Sequence, residues 1–227
     1  MMQHKSKQMS ETLELGIVLA LAGGFMDAYS YMCRGHVFAN AQTGNILLLG
    51  VNLSQGNWTT AVHYLVPVLA FVVGLALADL FRLIRRGTEK LHWRQITVAL
   101  EALVLISVSF MPQSLNLLAN SLTSLACGIQ VESFRKIHGS GIATTMCIGN
   151  LRSATQNLSE FLHTRKKEAL KKSGLYYFII LCFIVGAILG NLAVGVLAER
   201  AILIASAILL IAFILMFIDL ERSHRSA

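Results

Sequence analysis

The sequence predicts an all-α, polytopic membrane helix bundle, and three observations predict it. Of its 227 residues, 55% are hydrophobic and only 14% are charged, against roughly 25% charged in ordinary globular domains. The apolar residues gather into stretches close to the about 20 residues that one bilayer crossing takes. The basic residues gather into a few blocks between those stretches, the pattern of cytoplasmic loops. The net charge of +7 therefore reads as topology and not as nucleic-acid affinity, since no basic face is interleaved with aromatics. A lipid bilayer is the partner this composition requires.

The first apolar stretch covers residues 13–32. Lys5 and Lys7 precede it, and Ala20, Leu21 and Ala22 resemble a signal-peptide cleavage site. Glu11 and Glu14 interrupt the basic region, however, and the run continues well past Ala22, so the expectation is an uncleaved first membrane helix. A short apolar stretch, 46–53, sits within polar sequence over 40–58. Residues 61–83 form the next long stretch, leading into Arg82, Arg85, Arg86, Lys90 and Arg94. Residues 96–111 are apolar and end at Pro112; 115–137 follow. Residues 141–162 are mixed and carry Arg152, which either lines a pore or snorkels to the interface. A second basic block, Arg165, Lys166, Lys167, Lys171 and Lys172, precedes the stretches 175–198 and 201–220, with Arg222 and Arg225 behind them.

Sliding the chain along itself exposes an internal repeat. At an offset of 105, residues 23–54 meet 128–159 without gaps, with identities at Gly23/Gly128, Gly44/Gly149, Asn45/Asn150, Asn52/Asn157, Leu53/Leu158 and Ser54/Ser159, and with Asp27 opposite Glu132. At an offset of 112, residues 71–80 meet 183–192 with five of ten positions identical. The chain reads as one membrane domain, 1–227, holding repeat 1 at about 13–111 and repeat 2 at about 115–220. Each repeat has one long span, one short polar segment and two further long spans.

Charge decides between eight spans and six. With six, Lys5 and Lys7, the blocks 82–94 and 165–172, and Arg222 with Arg225 all fall inside, and the uncharged loop 112–116 falls outside. With eight, the block 82–94 lands on the wrong side. The expectation is six spans, both termini cytoplasmic, and an inverted three-plus-three repeat. The two short segments are then re-entrant or interfacial helices.

Asp27 and Glu132 are the sharpest functional candidates, because a carboxylate within a span is expensive unless it faces the bundle interior or a cavity. They read either as a relay or ligand for a proton, cation or solute, or as buried structural hydrogen-bonding groups. Thr43, Gly44 and Asn45 open the first short segment and Ile148, Gly149 and Asn150 the second. Glycine allows close backbone approach, asparagine can both donate and accept, and a helix start offers free N–H groups to an anion; the alternative is a cap and turn. Gly74 with Ala78, and Gly186 with Gly190, are small-xxx-small patterns that bring helix backbones together. Asp79 is spaced to pair with Arg82, and Arg135 and Lys136 read as cytoplasmic anchors. Cys33, Cys127, Cys147 and Cys182 are scattered, which suggests neither disulfides nor a zinc site, and no metal or cofactor is expected. No GxSxG, HExxH, P-loop or GxGxxG context is present, so no enzyme is expected.

Gly24, Asp27 and Ala28, then Phe38, then Thr43, Gly44 and Asn45 form G-x-x-D-A followed by F-x-x-x-x-T-G-N. Gly128 and Gln130, then Thr144, Thr145 and Gly149 form G-x-Q followed by T-T-x-x-x-G. On these elements the chain resembles the YoaK family of bacterial multi-pass membrane proteins over nearly its whole length. It departs at Ile148, where that family usually has threonine, and at Asn150, where a small polar residue is common. The resemblance implies a membrane protein with this span count and adds Gln130 and Thr145 to the candidates; it supplies no substrate. The expected function is a small-solute transporter or exporter, proton-coupled through Asp27 and Glu132. A channel with re-entrant filter segments and a non-transporting assembly or signalling protein are the alternatives, and association into homo-oligomers stays open.

Overall fold

A computed structural model describes residues 12–84, 90–135 and 141–225, and every regular element among them is helical. In chain order these are α1 (Leu13–Cys33), α2 (Gln42–Ser54), α3 (Trp58–Ile84), α4 (Lys90–Val108), α5 (Asn116–Ser133), α6 (Cys147–Thr164), α7 (Lys167–Leu197) and α8 (Ile202–Arg225). Lys5, Lys7, Arg85, Arg86 and Lys136 lie outside the described residues, as do the side chains of Lys90, Arg222 and Arg225.

Local chemistry sets several of the boundaries. Thr12 caps α1, its hydroxyl accepting from the Leu15 N–H at 3.4 Å. Gly35 and His36, both at positive φ, turn the chain after α1. The helix α7 begins at Lys167, so Lys167, Lys171 and Lys172 ride on its first turns instead of forming a loop. At 31 residues it is about 46 Å long, which leaves room for a basic end beyond a hydrocarbon core of about 30 Å.

Among the described residues, α1, α3 and the stretch Lys167–Met216 are long and apolar enough to cross a membrane. The last stretch takes in α7 and much of α8. The helices α4 and α5 reach span length but not that apolarity, because they hold polar groups inside the bundle: Gln95, Thr97 and Glu101 on α4, and Asn120, Thr123, Ser124 and Gln130 on α5 are all buried. The polarity is inverted relative to a soluble protein. Leu69, Val72, Val73, Leu77 and Leu80 of α3, and Leu181, Ile184, Val185, Ile188 and Leu189 of α7, are exposed, a continuous apolar exterior that water would not tolerate.

The bundle is built from swapped partners. The helix α1 packs along α7, and α3 packs along α5; α4 pairs with α8, while α2 and α6 lie on α3 and α7. Glycines make the two long crossings possible. A Cβ on Gly24 would sit in the Phe183 carbonyl and one on Gly186 in the Leu21 carbonyl; equivalently, Gly74 meets the Leu125 carbonyl and Gly128 the Phe71 carbonyl. Gly190 adds a fifth close approach, to Phe25, and Ala78 is buried on the same face of α3 as Gly74. The helices α1 and α5 run antiparallel: Asn120 donates to the Arg34 carbonyl at 2.7 Å, while Cys127, further along α5, lies beside Met26, further back along α1.

These contacts correct the sequence register over α1. Gly24, and not Gly23, has the environment of Gly128, and Leu21 has that of Leu125, one residue less than the gapless offset of 105. The pattern of buried and half-buried positions over 15–24 of α1 and 119–128 of α5 is identical at the shorter offset. Asp27 therefore stands opposite Val131, and Glu132 opposite Ala28. The offset of 105 does hold for the short helices, where Asn45 donates to the Phe38 carbonyl at 2.8 Å and Asn150 to the Ala143 carbonyl at 2.6 Å. Identical residues at the short helices carried the alignment one position too far into α1.

The two ends of the bundle differ. At one, Gln113 donates to the Cys33 carbonyl at 3.0 Å and to Glu199 Oε1 at 2.8 Å, and its amide holds the Glu199 carboxyl below the ordinary value. At the other, Arg82 pairs with Asp79, and Arg135 with Glu132. The crossings generate a prediction. Gly128→Val or Gly186→Val destabilises the bundle by about 1–3 kcal/mol, read as a lower midpoint of thermal unfolding in detergent. Gly195→Ala, where nothing lies within 4 Å of the added Cβ, does not lower the midpoint.

Candidate functional site

A cavity of about 820 Å³ opens where the chain segments leading into α2 and α6 meet against α1, α3 and α7. Tyr31, Met32, Phe38, Phe71 and Phe183 give it an apolar wall. Asp27, Asn40, Gln42, Thr43, Thr145 and Asn191 supply polar groups, and Cys147, Ile148 and Gly149 bring the first turn of α6 to its edge.

Asp27 organises one side. Its Oδ1 accepts from the backbone N–H groups of Asn40 at 2.6 Å and Ala41 at 3.3 Å. Ala41 is the N-cap position of α2 and has no capping side chain of its own; the carboxylate from α1 instead holds the two N–H groups just before the helix, where negative charge also suits its dipole. Oδ2 of Asp27 has no partner. The Asn40 amide donates to the Gly23 carbonyl at 3.3 Å, and its Oδ1 is also unpartnered. Gln42 closes the loop by donating to the Ala39 carbonyl at 2.8 Å and to Ser124 of α5 at 3.4 Å.

The other side lacks that arrangement. Thr145 occupies the place of Asn40, and its methyl group packs on Gly23. Its hydroxyl is buried and unpartnered. At the register position of Asp27 stands Val131, which has no oxygen to offer. The N-cap Met146 has no capping side chain, so the first N–H groups of α6 keep the unmet hydrogen-bonding capacity of a helix start.

Of the residues singled out in the sequence, the cavity gathers Asp27, Thr43, Thr145 and Gly149. Gly149 has open space where a Cβ would be. Asn45 and Asn150 are buried clasps that tie each short helix to the strand of chain before it, Asn45 also receiving the Phe38 N–H at 2.9 Å. Gly44 lies against the Phe38 ring. Glu132 is not in the cavity: it sits at the charged end, paired with Arg135 and 3.9 Å from Arg82. Gln130 turns away too: with its amide oriented so that the nitrogen faces Glu101, the orientation that satisfies both groups, it donates to both carboxylate oxygens, at 2.6 and 3.1 Å. Arg152 is exposed on α6.

Two residues were missed. Glu101 is only 2% exposed, and no described cation pairs with it. The signal was available, since a carboxylate within the apolar stretch 96–111 is conspicuous by the same cost that marked Asp27. Arg34 is fully buried and donates to the carbonyls of Val108 and Met111 at 3.0 and 2.9 Å, to Asn116 at 3.2 Å and, through Nε, to Tyr29 at 2.8 Å. It satisfies the last carbonyl of α4, Val108, and that of Met111 just beyond it, and so ties this corner to the end of α1. No spacing motif announces such a cap, because its acceptors are distant in sequence.

The Glu101–Gln130 pair yields a prediction. Glu101→Gln keeps an acceptor for the Gln130 amide and leaves stability nearly unchanged. Glu101→Leu strands that amide in the bundle core and costs about 1–3 kcal/mol, measured as loss of monodisperse protein on heating in detergent.

Residues 15–215 match a family model described as "Protein of unknown function (DUF1275)". Over 187 residues the chain is 30% identical to the UPF0700 transmembrane protein YoaK of Bacillus subtilis (strain 168), a match covering 78% of this chain and 81% of that protein. No solved structure matches it.

Proposed function

This chain belongs to the DUF1275 family, which with its likeness to a transmembrane protein makes it a membrane protein, and from that premise we propose that it transports or exports a small solute across the bacterial inner membrane. In this reading it crosses the bilayer six times with both termini in the cytoplasm. The repeats, about 13–111 and 115–220, lie in opposite orientations, with α2 and α6 as half-helices that enter without crossing. The antiparallel course of α1 against α5 and the reciprocal swap of α1 onto α7 and α3 onto α5 support the inversion. With 13 residues, α2 reaches only about 20 Å, short of a crossing. The end that carries Arg82 and Arg135 is the cytoplasmic one by the positive-inside rule.

One observation carries the transport reading. The cavity of about 820 Å³ lies at the junction of the two half-helix N-termini and contains three buried, unpartnered polar groups, on Asp27, Asn40 and Thr145. That volume suits a small-molecule site, and discontinuous helices meeting between inverted halves are a transporter device. Asp27 is the coupling group: one oxygen holds the α2 loop, and the other is free to take a proton or a cation. Glu132, committed to two arginines, is not part of the path.

Cys147 lines the cavity and reports access once Cys33, Cys127 and Cys182 are replaced by alanine. A membrane-impermeant maleimide labels it both in intact cells and in inverted vesicles, and an imposed pH gradient shifts the ratio of the two. Asp27→Asn removes that shift, whereas Glu132→Gln leaves it intact. Ohmic conductance in a planar bilayer would assign a channel instead, and labelling from a single side would leave an assembly or signalling protein.

A further inference from the structure

The two helix starts at the cavity present the same backbone to different side chains. At α2, the N–H groups of Asn40 and Ala41 are taken by the carboxylate of Asp27. At α6, Thr145 and Met146 are the corresponding residues, and among the described residues nothing accepts from their N–H groups. Val131 stands where a carboxylate would have to come from. The first half of the molecule thus displays the chemistry that its backbone loop binds, namely one carboxylate oxygen, and the second half leaves that chemistry to be supplied from outside the chain. Thr145 adds a second and independent pointer. Its side chain is 4% exposed and lines the cavity, yet its hydroxyl has no partner. A buried hydroxyl without a partner costs free energy comparable to a lost hydrogen bond, and a helix start is a ready seat for an anion.

We propose that this seat, the Thr145 hydroxyl with the N–H groups opening α6, takes the carboxylate of a zwitterionic amino acid with a large apolar side chain. The opposite wall selects the other end of the ligand. Oδ2 of Asp27 and Oδ1 of Asn40 are unpartnered acceptors, and an ammonium group satisfies both. Thr145 packs on Gly23, one helical turn before Asp27 on α1, so the two seats are about 6 Å apart along the helix. That separation matches an ammonium and a carboxylate carried on one carbon atom and is too short for charges at opposite ends of a long molecule. A simple carboxylate would meet the charge of Asp27 unpaired, and a simple amine would leave the α6 start unmet. The side chain lies against Tyr31, Met32, Phe38, Phe71 and Phe183, which bury apolar surface.

This inference rests on the cavity being the solute site, and its test separates the two. Purified full-length protein in lipid nanodiscs is titrated calorimetrically with L-phenylalanine, 3-phenylpropionate and 2-phenylethylamine. Phenylalanine binds, and each single-charge analogue binds at least about tenfold more weakly, as expected for loss of one charge-assisted hydrogen-bonded end. Thr145→Val and Asp27→Asn each weaken phenylalanine about tenfold or more, and Thr145→Ser restores it. Val131→Asp, which gives the second loop the internal carboxylate that the first possesses, abolishes binding. Bound phenylalanine also protects Cys147 from maleimide, a readout within folded protein that shows whether a variant's loss is one of binding or of structure. Equal binding of either analogue, or no binding of phenylalanine to protein whose Cys147 still alternates between the two faces, overturns the amino-acid assignment while transport stands. Phenylalanine binding with Cys147 reached from one face only would overturn transport and leave the assignment.

Discussion

The architecture depends on helix backbones touching. Lipid tails are as apolar as leucine, so little hydrophobic drive remains to press one apolar helix on another. Contact has to come from close van der Waals packing, and at Gly24, Gly186, Gly74 and Gly128 a carbonyl of the neighbouring helix occupies the space a methyl group would need. These four contacts bind α1 to α7 and α3 to α5, so each half of the chain is completed by a helix of the other half. The cavity is a consequence. Phe71 and Phe183, whose carbonyls receive Gly128 and Gly24, also line it, so the tightest crossings form its rim, and the polar loops before α2 and α6 fill the gap between them.

Polar backbone inside such a bundle must be satisfied by protein or by water in a cavity. The two loops meet this demand differently. Asparagine clasps at Asn45 and Asn150 are common to both. The helix starts beside them are not alike: the N–H groups leading into one are held across the bundle by Asp27, and the other borders the cavity with an unpartnered Thr145 beside it. Similar backbone with different side chains gives the cavity two chemically distinct walls. The charged groups at the bundle's end take no part in that asymmetry. Glu132 balances Arg82 and Arg135, and Asp79 pairs with Arg82 within one turn of α3.

Much of this was legible in residues whose environment is forced. Asp27 stood out because a carboxylate within an apolar span needs a reason, and the reason is a hydrogen-bonded loop and a cavity. Gly74, Gly186 and Gly190 carried their spacing openly. Glu101 obeyed the same rule as Asp27 and was overlooked in a stretch counted only for apolarity. Gln130 and Glu132 are close in sequence but diverge in space, one to Glu101 in the core and the other to arginines at the end of α5. On a helix, neighbours two apart face different directions, and which direction meets the cavity depends on what packs around them.

The sequence by itself placed this chain in the membrane, marked where its helices run, and carries Gly-Asn elements in both of its halves. Apolar length, blocks of basic residues and repeated Gly-Asn elements carry those properties locally. Tertiary structure alone decided the register between the halves, because identities at the short helices and contacts along the long ones disagree by one residue. That residue is the difference between a matched pair of carboxylates and a single one. It alone decided, too, that Arg34 caps α4 and that the α6 start shares a cavity with Asp27, since both join segments far apart along the chain. Pairings of that kind are fixed by how close two backbones can come, and no local pattern in a sequence records that distance.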